Sequence, residues 1–273
     1  MIPPFPWGER TCVMGILNVT PDSFSGDGVP DDVEAAVEHA QAMVAAGADV
    51  VDVGGESTAY WKAGYQPVTE DEELRRVLPL LERLRVDLPE VAISIDTRKP
   101  GVAHAALAAG ASWLNNVEGV WDDGRMASVA AEYAAPYVLM HNRHEAAYRD
   151  VVDEVRDELL AAAARAEAAG VCRERIILDP GLGFGKTGAH NLELLRRLPE
   201  LAGLGYPLLV GPSRKRFLGL ILGTPEQDRV EGTAAAVAIA IAGGAGAVRV
   251  HDVPGMVRVA RVADAIVRSL PVG

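Results

Sequence analysis

The chain has 273 residues, 49% of them apolar, and carries a formal net charge of −12. That length holds one barrel-sized core with little left over, and the acidity argues against a general affinity for nucleic acid or anionic membranes. No stretch nears the ~20 uninterrupted apolar residues that span a bilayer, and Met1-Ile2-Pro3-Pro4-Phe5-Pro6 has neither the basic region nor the apolar core of a signal peptide. A single domain over 1–273 in the cytoplasm is expected, with no nucleic acid and no membrane as partner. Cys12 and Cys172 are too few and too scattered for a disulfide framework. Both sit beside predicted strands and read as small buried apolar groups.

In chain order, short apolar runs end in polar residues. Val13 to Leu17 leads into Asn18, Thr20 and Asp22; after a helical stretch over 32–46, Val50 to Val53 leads into Gly54-Gly55-Glu56-Ser57-Thr58. A helix over 69–87 is followed by Ala92 to Ile95 and then Asp96-Thr97-Arg98. Next come 99–109, Trp113-Leu114 with Asn115-Asn116, 124–134, and Tyr137 to Met140 with His141-Asn142-Arg143. The chain continues with 150–169, Ile176 to Leu178 into Asp179-Pro180-Gly181, then 190–202 and Leu208 to Gly211 into Ser213-Arg214-Lys215. It closes with 228–243, Ala247 to Val250 into His251-Asp252, and 254–269. Strict alternation of strand and helix predicts a parallel sheet, and eight units predict an α/β fold, a single-domain (β/α)8 TIM barrel. The structural rival is an open doubly wound sheet, which would concentrate polar ends at one switch point; here all eight units carry them.

Ser213-Arg214-Lys215-Arg216 follows the seventh strand, and Arg249 and His251 share a face at the end of the eighth. The loops after these two strands of a barrel frequently bind phosphate, and arginine offers a forked pair of donors there. Gly185-Lys186-Thr187 imitates the end of a Walker A loop, but the first glycine of that motif would fall on Pro180, and the match fails. His141 and His144 lack a third ligand at recognisable spacing, so a zinc site is not expected. Asp52, Asp96, Asn115 and Asp179 read as strand C-terminal groups that converge on one mouth, able to face the edge of a flat heterocycle.

Six segments, in order, resemble the dihydropteroate synthases of the folate pathway. They are Gly15 to Ser25, Asp52 to Thr58, Ser94 to Thr97, Leu178 to Lys186, Gly211 to Phe217, and Arg249 to Asp252. The resemblance implies the joining of 7,8-dihydropterin-6-ylmethyl diphosphate to p-aminobenzoate, giving 7,8-dihydropteroate and pyrophosphate. It implies that Asp96, Asn115, Asp179 and Lys215 hold the pterin, with Met140, Phe184 and Gly211 lining its pocket. It further implies that Asn18, Thr58, Arg249 and His251 hold the diphosphate, with Ser213 in the same anion cluster, and that Asn18 is the protein ligand of Mg2+. Asp96, Lys215, Arg249 and His251 would carry the catalysis, and a homodimer is the expected assembly.

Three departures from the family pattern stand out. Ala59 to Gln66 replaces the usual Arg-Pro-Gly; Ser25-Gly26-Asp27-Gly28 replaces Ser-Asp-Gly-Gly; and Asn116 replaces an aspartate. Tyr60, Trp61 and Tyr65 are expected to wall the acceptor site, with Lys62 for the acceptor carboxylate. The altered loop keeps two other readings in view. One is a pterin-binding paralogue without catalysis or with an altered acceptor; the other is a methylfolate-dependent corrinoid methyltransferase, which would have no diphosphate for Lys215, Arg249 and His251 to hold.

Overall fold

Each strand is too short and too apolar to leave either face in water, so each needs helices on one side and other strands' side chains on the other. The computed structural model describes residues 5–19, 30–56 and 67–268, the side chains of 30–32 apart. The elements run β1 Cys12–Asn18, α1 Pro30–Ala45, β2 Val50–Gly54, α2 Glu70–Asp87, β3 Ala92–Asp96, α3 Pro100–Ala109, β4 Trp113–Asn116, α4 Arg125–Glu132 and β5 Tyr137–Met140. They continue with α5 Val151–Ala168, β6 Ile176–Asp179, α6 Gly188–Arg196, α7 Leu198–Ala202, β7 Leu209–Val210, α8 Arg216–Leu222, α9 Val230–Ala242, β8 Ala247–Val250 and α10 Val253–Val267. All strand pairs are parallel, in the order β6-β5-β4-β3-β2-β1-β8-β7. A parallel bridge between Leu178 and Leu208 closes β6 on β7. The expected (β/α)8 barrel is what forms.

The pleat sorts the side chains. Cys12, Met14, Val50, Ala92, Trp113, Val138, Ile177, Leu209 and Ala247 form one buried cluster with a member from every strand, which is the barrel interior. Their sequence neighbours Leu17, Val51, Val53, Ile93, Ile95, Leu114, Tyr137, Leu139, Ile176 and Leu178 pack outward into the helical layer. Phe5 and Trp7 pack against the inner cluster, with the Trp7 ring 6.1 Å from that of Trp113. Burying one such side chain is worth roughly 1.5–3 kcal/mol. Apolar material therefore fills one end of the barrel, and the same inward parity carries polar residues at the other end.

Three sequence expectations are corrected. The helix over 190–202 is two helices, because Pro199 has no N–H for a helical bond and its ring opposes the preceding turn. The short α8, Arg216 to Leu222, falls in none of the expected helical stretches; it follows directly on the polar residues of the β7 end, which mask its start. Cys12 is buried as expected, but Cys172 is exposed, outside the strand it precedes.

Candidate active site

The inward residues at the strand ends enclose a cavity of about 490 Å3. Asp96 ends β3 and pairs in register with Asn115 of β4 and Gly54 of β2; Gly54 in turn pairs with Asn18 at the end of β1. A Cβ on Gly54 would sit 3.3 Å from Asn18 Oδ1 and 3.9 Å from Asp96 Oδ2, so the glycine keeps that corner open. Asp179 ends β6, and its Oδ1 accepts the Gly181 N–H at 2.7 Å. Val117, Met140 and Phe184 form an apolar cluster of their own, which makes one wall. Lys215 Nζ stands 4.1 Å from the centroid of the Phe184 ring, a cation–π distance.

Arg249 of β8 reaches across the barrel. Its Nε donates to Asp52 Oδ2 at 2.6 Å and its Nη2 to Asp96 Oδ2 at 2.7 Å. Asp52 Oδ2 also accepts from Asn115 Nδ2 at 3.0 Å. Asp52 is fully buried and does not line the cavity, so the sequence expectation that it stands at the mouth is corrected: it lies one pleat below Gly54 and supports Arg249 and Asn115 from beneath. Asn116, the other departure on β4, faces outward, donating to the Tyr137 hydroxyl at 2.9 Å and accepting from the Glu118 N–H. It does not line the cavity.

His251 is held by Ser213. The Ser213 Oγ accepts the His251 backbone N–H at 3.1 Å and lies 2.9 Å from Nδ1. While its oxygen accepts that N–H, the hydroxyl still has its proton to give to Nδ1, an arrangement that places the imidazole proton on Nε2. Burial, then the positive charges of Arg249, Arg214 and Lys215, push the imidazole down to about 3. His251 therefore offers a neutral donor and no charge. Arg214 before Lys215 has a left-handed backbone, φ 56, with its N–H held by Thr233 Oγ1 and its carbonyl by Arg229 Nη1. Such strain persists where surrounding bonds over-determine it, and it clusters at functional sites.

Burial pushes the Asp96 carboxyl up to about 7 against the pull of Arg249, with Asp52 and Glu73 pushing the same way. Burial likewise raises Asp179 to about 6, opposed by the Gly181 N–H and Lys215. Lys215 is lowered to about 8 by burial and by Arg249. Asp96 Oδ1 is buried and makes no hydrogen bond. A buried acceptor without a donor costs about 1–3 kcal/mol, and here it belongs to a residue that lines a cavity.

Asn18, Asp96, Asn115, Met140, Asp179 and Phe184 thus meet Gly211, Ser213, Lys215, Arg249 and His251 around one space. Thr58, Ala59 to Gln66 and Ser25 to Gly28 lie outside the described residues. The sequence reading missed Glu56, which accepts the Val68 N–H at 3.0 Å and takes Lys99 at 2.7 Å, so both stems of the segment 57–66 are tied together. Among the described residues, no three His, Cys, Asp or Glu side chains gather to hold a metal. His141 is buried, and His144 stacks on Trp121. Asn18 brings one amide oxygen, with Asp96 across Gly54. Such a donor set fits a hard cation that draws most of its ligands from water and a substrate's phosphates. A second hollow of about 530 Å3 near Trp121 shares no lining residue with this one, and its Arg143 and Glu158 are spent on each other.

A parallel barrel with acids, amides and buried cations around one cavity at its strand ends is the architecture of an enzyme. The profile of the pterin binding enzymes matches residues 14–251, and the chain belongs to that family. Its relatives include the dihydropteroate synthase of Bacillus subtilis, 48% identical, over 96% of this chain and 90% of the other. Among solved structures, the dihydropteroate synthase of Clostridium difficile, determined in the presence of pteroic acid, superposes with a TM-score of 0.93 at 45% identity, covering 97% of this chain and all of the other. That of Xanthomonas albilineans in complex with 7,8-dihydropteroate does so with 0.87 at 43% identity, covering 97% and 96%.

Proposed function

We infer that this chain is a dihydropteroate synthase, a transferase that joins 7,8-dihydropterin-6-ylmethyl diphosphate to p-aminobenzoate and releases pyrophosphate. The observation that carries this reading is the meeting, in one cavity, of the unsatisfied Asp96 Oδ1 and the Asp179 carboxylate with buried cations. Asp179 and Asp96 Oδ1 suit the N–H donors on the edge of an aminopyrimidinone, while Lys215 and Arg249 suit an anion.

In this reading the pterin lies against the Phe184 and Met140 wall, with its polar edge on Asp179, Asn115 and Asp96. Arg249, the neutral imidazole of His251 and the Ser213 turn receive the diphosphate, together with Thr58. The bond between the pterin methylene carbon and oxygen breaks, with its electron pair leaving on diphosphate. The amine nitrogen of p-aminobenzoate then supplies the pair for the new C–N bond and gives up a proton to solvent water. Asp96 steadies the developing positive charge on the pterin, and Arg249 and Lys215 steady the departing anion. Mg2+, held through Asn18 and the substrate's phosphate oxygens, would offset the charge of the leaving group.

The reading brings with it a cytoplasmic location and a homodimer. Among the described residues no helix is long and apolar enough to cross a membrane. The exposed Leu220 and Ile221 of α8, Ile239 of α9, and Val262 and Ile266 of α10, on helices that pack on one another, support a subunit interface. The test is to incubate the protein with dihydropterin diphosphate, Mg2+ and p-aminobenzoate and to measure dihydropteroate and pyrophosphate. Pterin binding without product would overturn catalysis and leave a binding paralogue.

A further inference from the structure

Lys186 stands in the loop between β6 and α6 and does not line the cavity. The loop is pressed onto the segment after β5. Gly181 and Gly185 have left-handed φ values of +65° and +55°, and a Cβ on either would collide with the carbonyl oxygens of His141 and Arg143. The Lys186 side chain fills the seam between the two segments. Its Nζ donates to His141 Nδ1 at 2.9 Å and to the Phe184 carbonyl at 3.0 Å, and lies 3.5 Å from the His141 carbonyl. Its ammonium thus spends its three protons on holding chain to chain.

The groups around it are arranged for that task. His141 is buried, its backbone N–H bonds to the Asp179 carbonyl at 2.8 Å, and burial with the Lys186 and Arg143 charges pushes its imidazole down to about 2. A neutral imidazole that accepts at Nδ1 carries its proton on Nε2, which lies 3.1 Å from Glu158 Oε2, off the line of a hydrogen bond. Burial lowers Lys186 itself to about 7, partly offset by Asp179. None of the three atoms nearest the ammonium is a carboxylate oxygen, and burying a cation on neutral acceptors alone is a poor source of stability. On the far side of the loop, the Phe184 ring closes the apolar wall and faces the Lys215 ammonium.

We propose that Lys186 is a positioning residue for the pterin: by fastening the Phe184 carbonyl to His141, it fixes the Phe184 ring as one wall of the slot and as the seat of Lys215. This rests on the reading of the cavity as a pterin site. The Gly-Lys-Thr run that resembled a nucleotide loop is, on this account, an internal clamp.

The test compares the whole protein with Lys186→Met, Phe184→Ala and the double variant, by steady-state kinetics with each substrate varied and by calorimetry with a pterin lacking the diphosphate. Lys186→Met keeps the aliphatic stem and removes the clamp. It is expected to weaken pterin binding and raise the KM for dihydropterin diphosphate about tenfold, equivalent to roughly 1.4 kcal/mol. The KM for p-aminobenzoate and the thermal midpoint should stay near the wild-type values. In the double variant the losses should fall well short of additive, because both substitutions disable the same wall. Unchanged pterin binding, additive losses, or a uniform fall in kcat and both affinities together with the midpoint would each overturn the proposal. Should Lys186→Met not fold, His141→Asn and His141→Ala decide: the amide oxygen of Asn keeps an acceptor for Lys186 and should preserve pterin binding, Ala should weaken it, and equal behaviour overturns the clamp. A wild-type protein that neither binds pterin nor forms dihydropteroate would sink the underlying reading instead.

Discussion

Arg249 Nη2 donates to Asp96 Oδ2 at 2.7 Å, which joins a cation and a carboxylate that line the same cavity. The same guanidinium holds Asp52 through Nε, so one arginine is the counter-ion of two buried acids. Among the described residues its Nη1 makes no hydrogen bond, which leaves a donor for substrate. Charge arriving as an anion at Nη1 would draw on a cation already shared, and the two halves of the substrate would be sensed by one group.

Removing that cation should cost stability as well as activity. Arg249→Ala leaves Asp52 and Asp96 buried without their partner, a loss of about 3–5 kcal/mol on the scale of broken buried pairs. Lys215→Ala removes a cation whose burial already lowers its affinity for protons, so its fold should hold while turnover falls. Denaturant unfolding of both variants separates the two; equal stability would show that Arg249 is not the counter-ion of the acids.

Asp96→Asn should depress kcat more than it raises the KM for dihydropterin diphosphate, by about a hundredfold if the charge acts on the developing cation. Because burial works against this charge in the resting protein, stability should change little or rise. A change confined to KM would make Asp96 a binding contact only.

Much of this was legible in the sequence, for a physical reason. A barrel strand exposes its chemistry only at one end, so apolar runs broken by Asn18, Asp96, Asn115, Asp179 and His251 announce both the fold and the mouth. Depth along the strand was harder. Asp52 and Asp96 look alike in sequence, yet Asp52 stops two residues short of Gly54 and becomes a support. His251 reads as a cation until the surrounding Arg249, Arg214 and Lys215 are seen to hold it neutral. Lys186 could not be read at all, because its partners, His141 and the Phe184 carbonyl, are defined by how two loops pack.

Asp179 should give the protein opposite responses to pH with and without pterin. Its carboxyl titrates at about 6 in the fold against 3.8 unperturbed, so the folded protein binds the extra proton between those values. Its contribution to stability is full below about 4 and is lost as pH rises through about 6. Pterin binding needs the ionised form and should tighten over the same range. Asp179→Asn should reduce both slopes in that window, leaving the share of Asp96, which titrates at about 7; a wild-type affinity constant from pH 5 to 7 would contradict the assignment.

Ser213→Ala removes the hydroxyl that fixes His251 in its tautomer. Turnover should fall about tenfold to a hundredfold, and stability by about 1–3 kcal/mol, because the His251 N–H and Nδ1 both lose their partner. In the wild type, kcat should show no ionisation near 6.5 from His251, because that imidazole stays neutral down to about 3. An activity that rises as pH falls through 6.5, and loses that rise in His251→Gln, would restore the charged imidazole.

Asn18 makes the metal requirement conditional on substrate. With Asn18 offering a single amide oxygen and no cluster of three His, Cys, Asp or Glu among the described residues, the protein alone should bind Mg2+ too weakly for calorimetry to detect at millimolar concentration. With dihydropterin diphosphate present, Mg2+ should support turnover, and a chelator should abolish it while leaving the binding of a pterin without diphosphate intact. Asn18→Ala should raise the Mg2+ concentration needed for half-maximal rate and leave that same pterin affinity unchanged. Tight binding of Mg2+ to the substrate-free protein, or full turnover in excess chelator, would remove Asn18 from the mechanism.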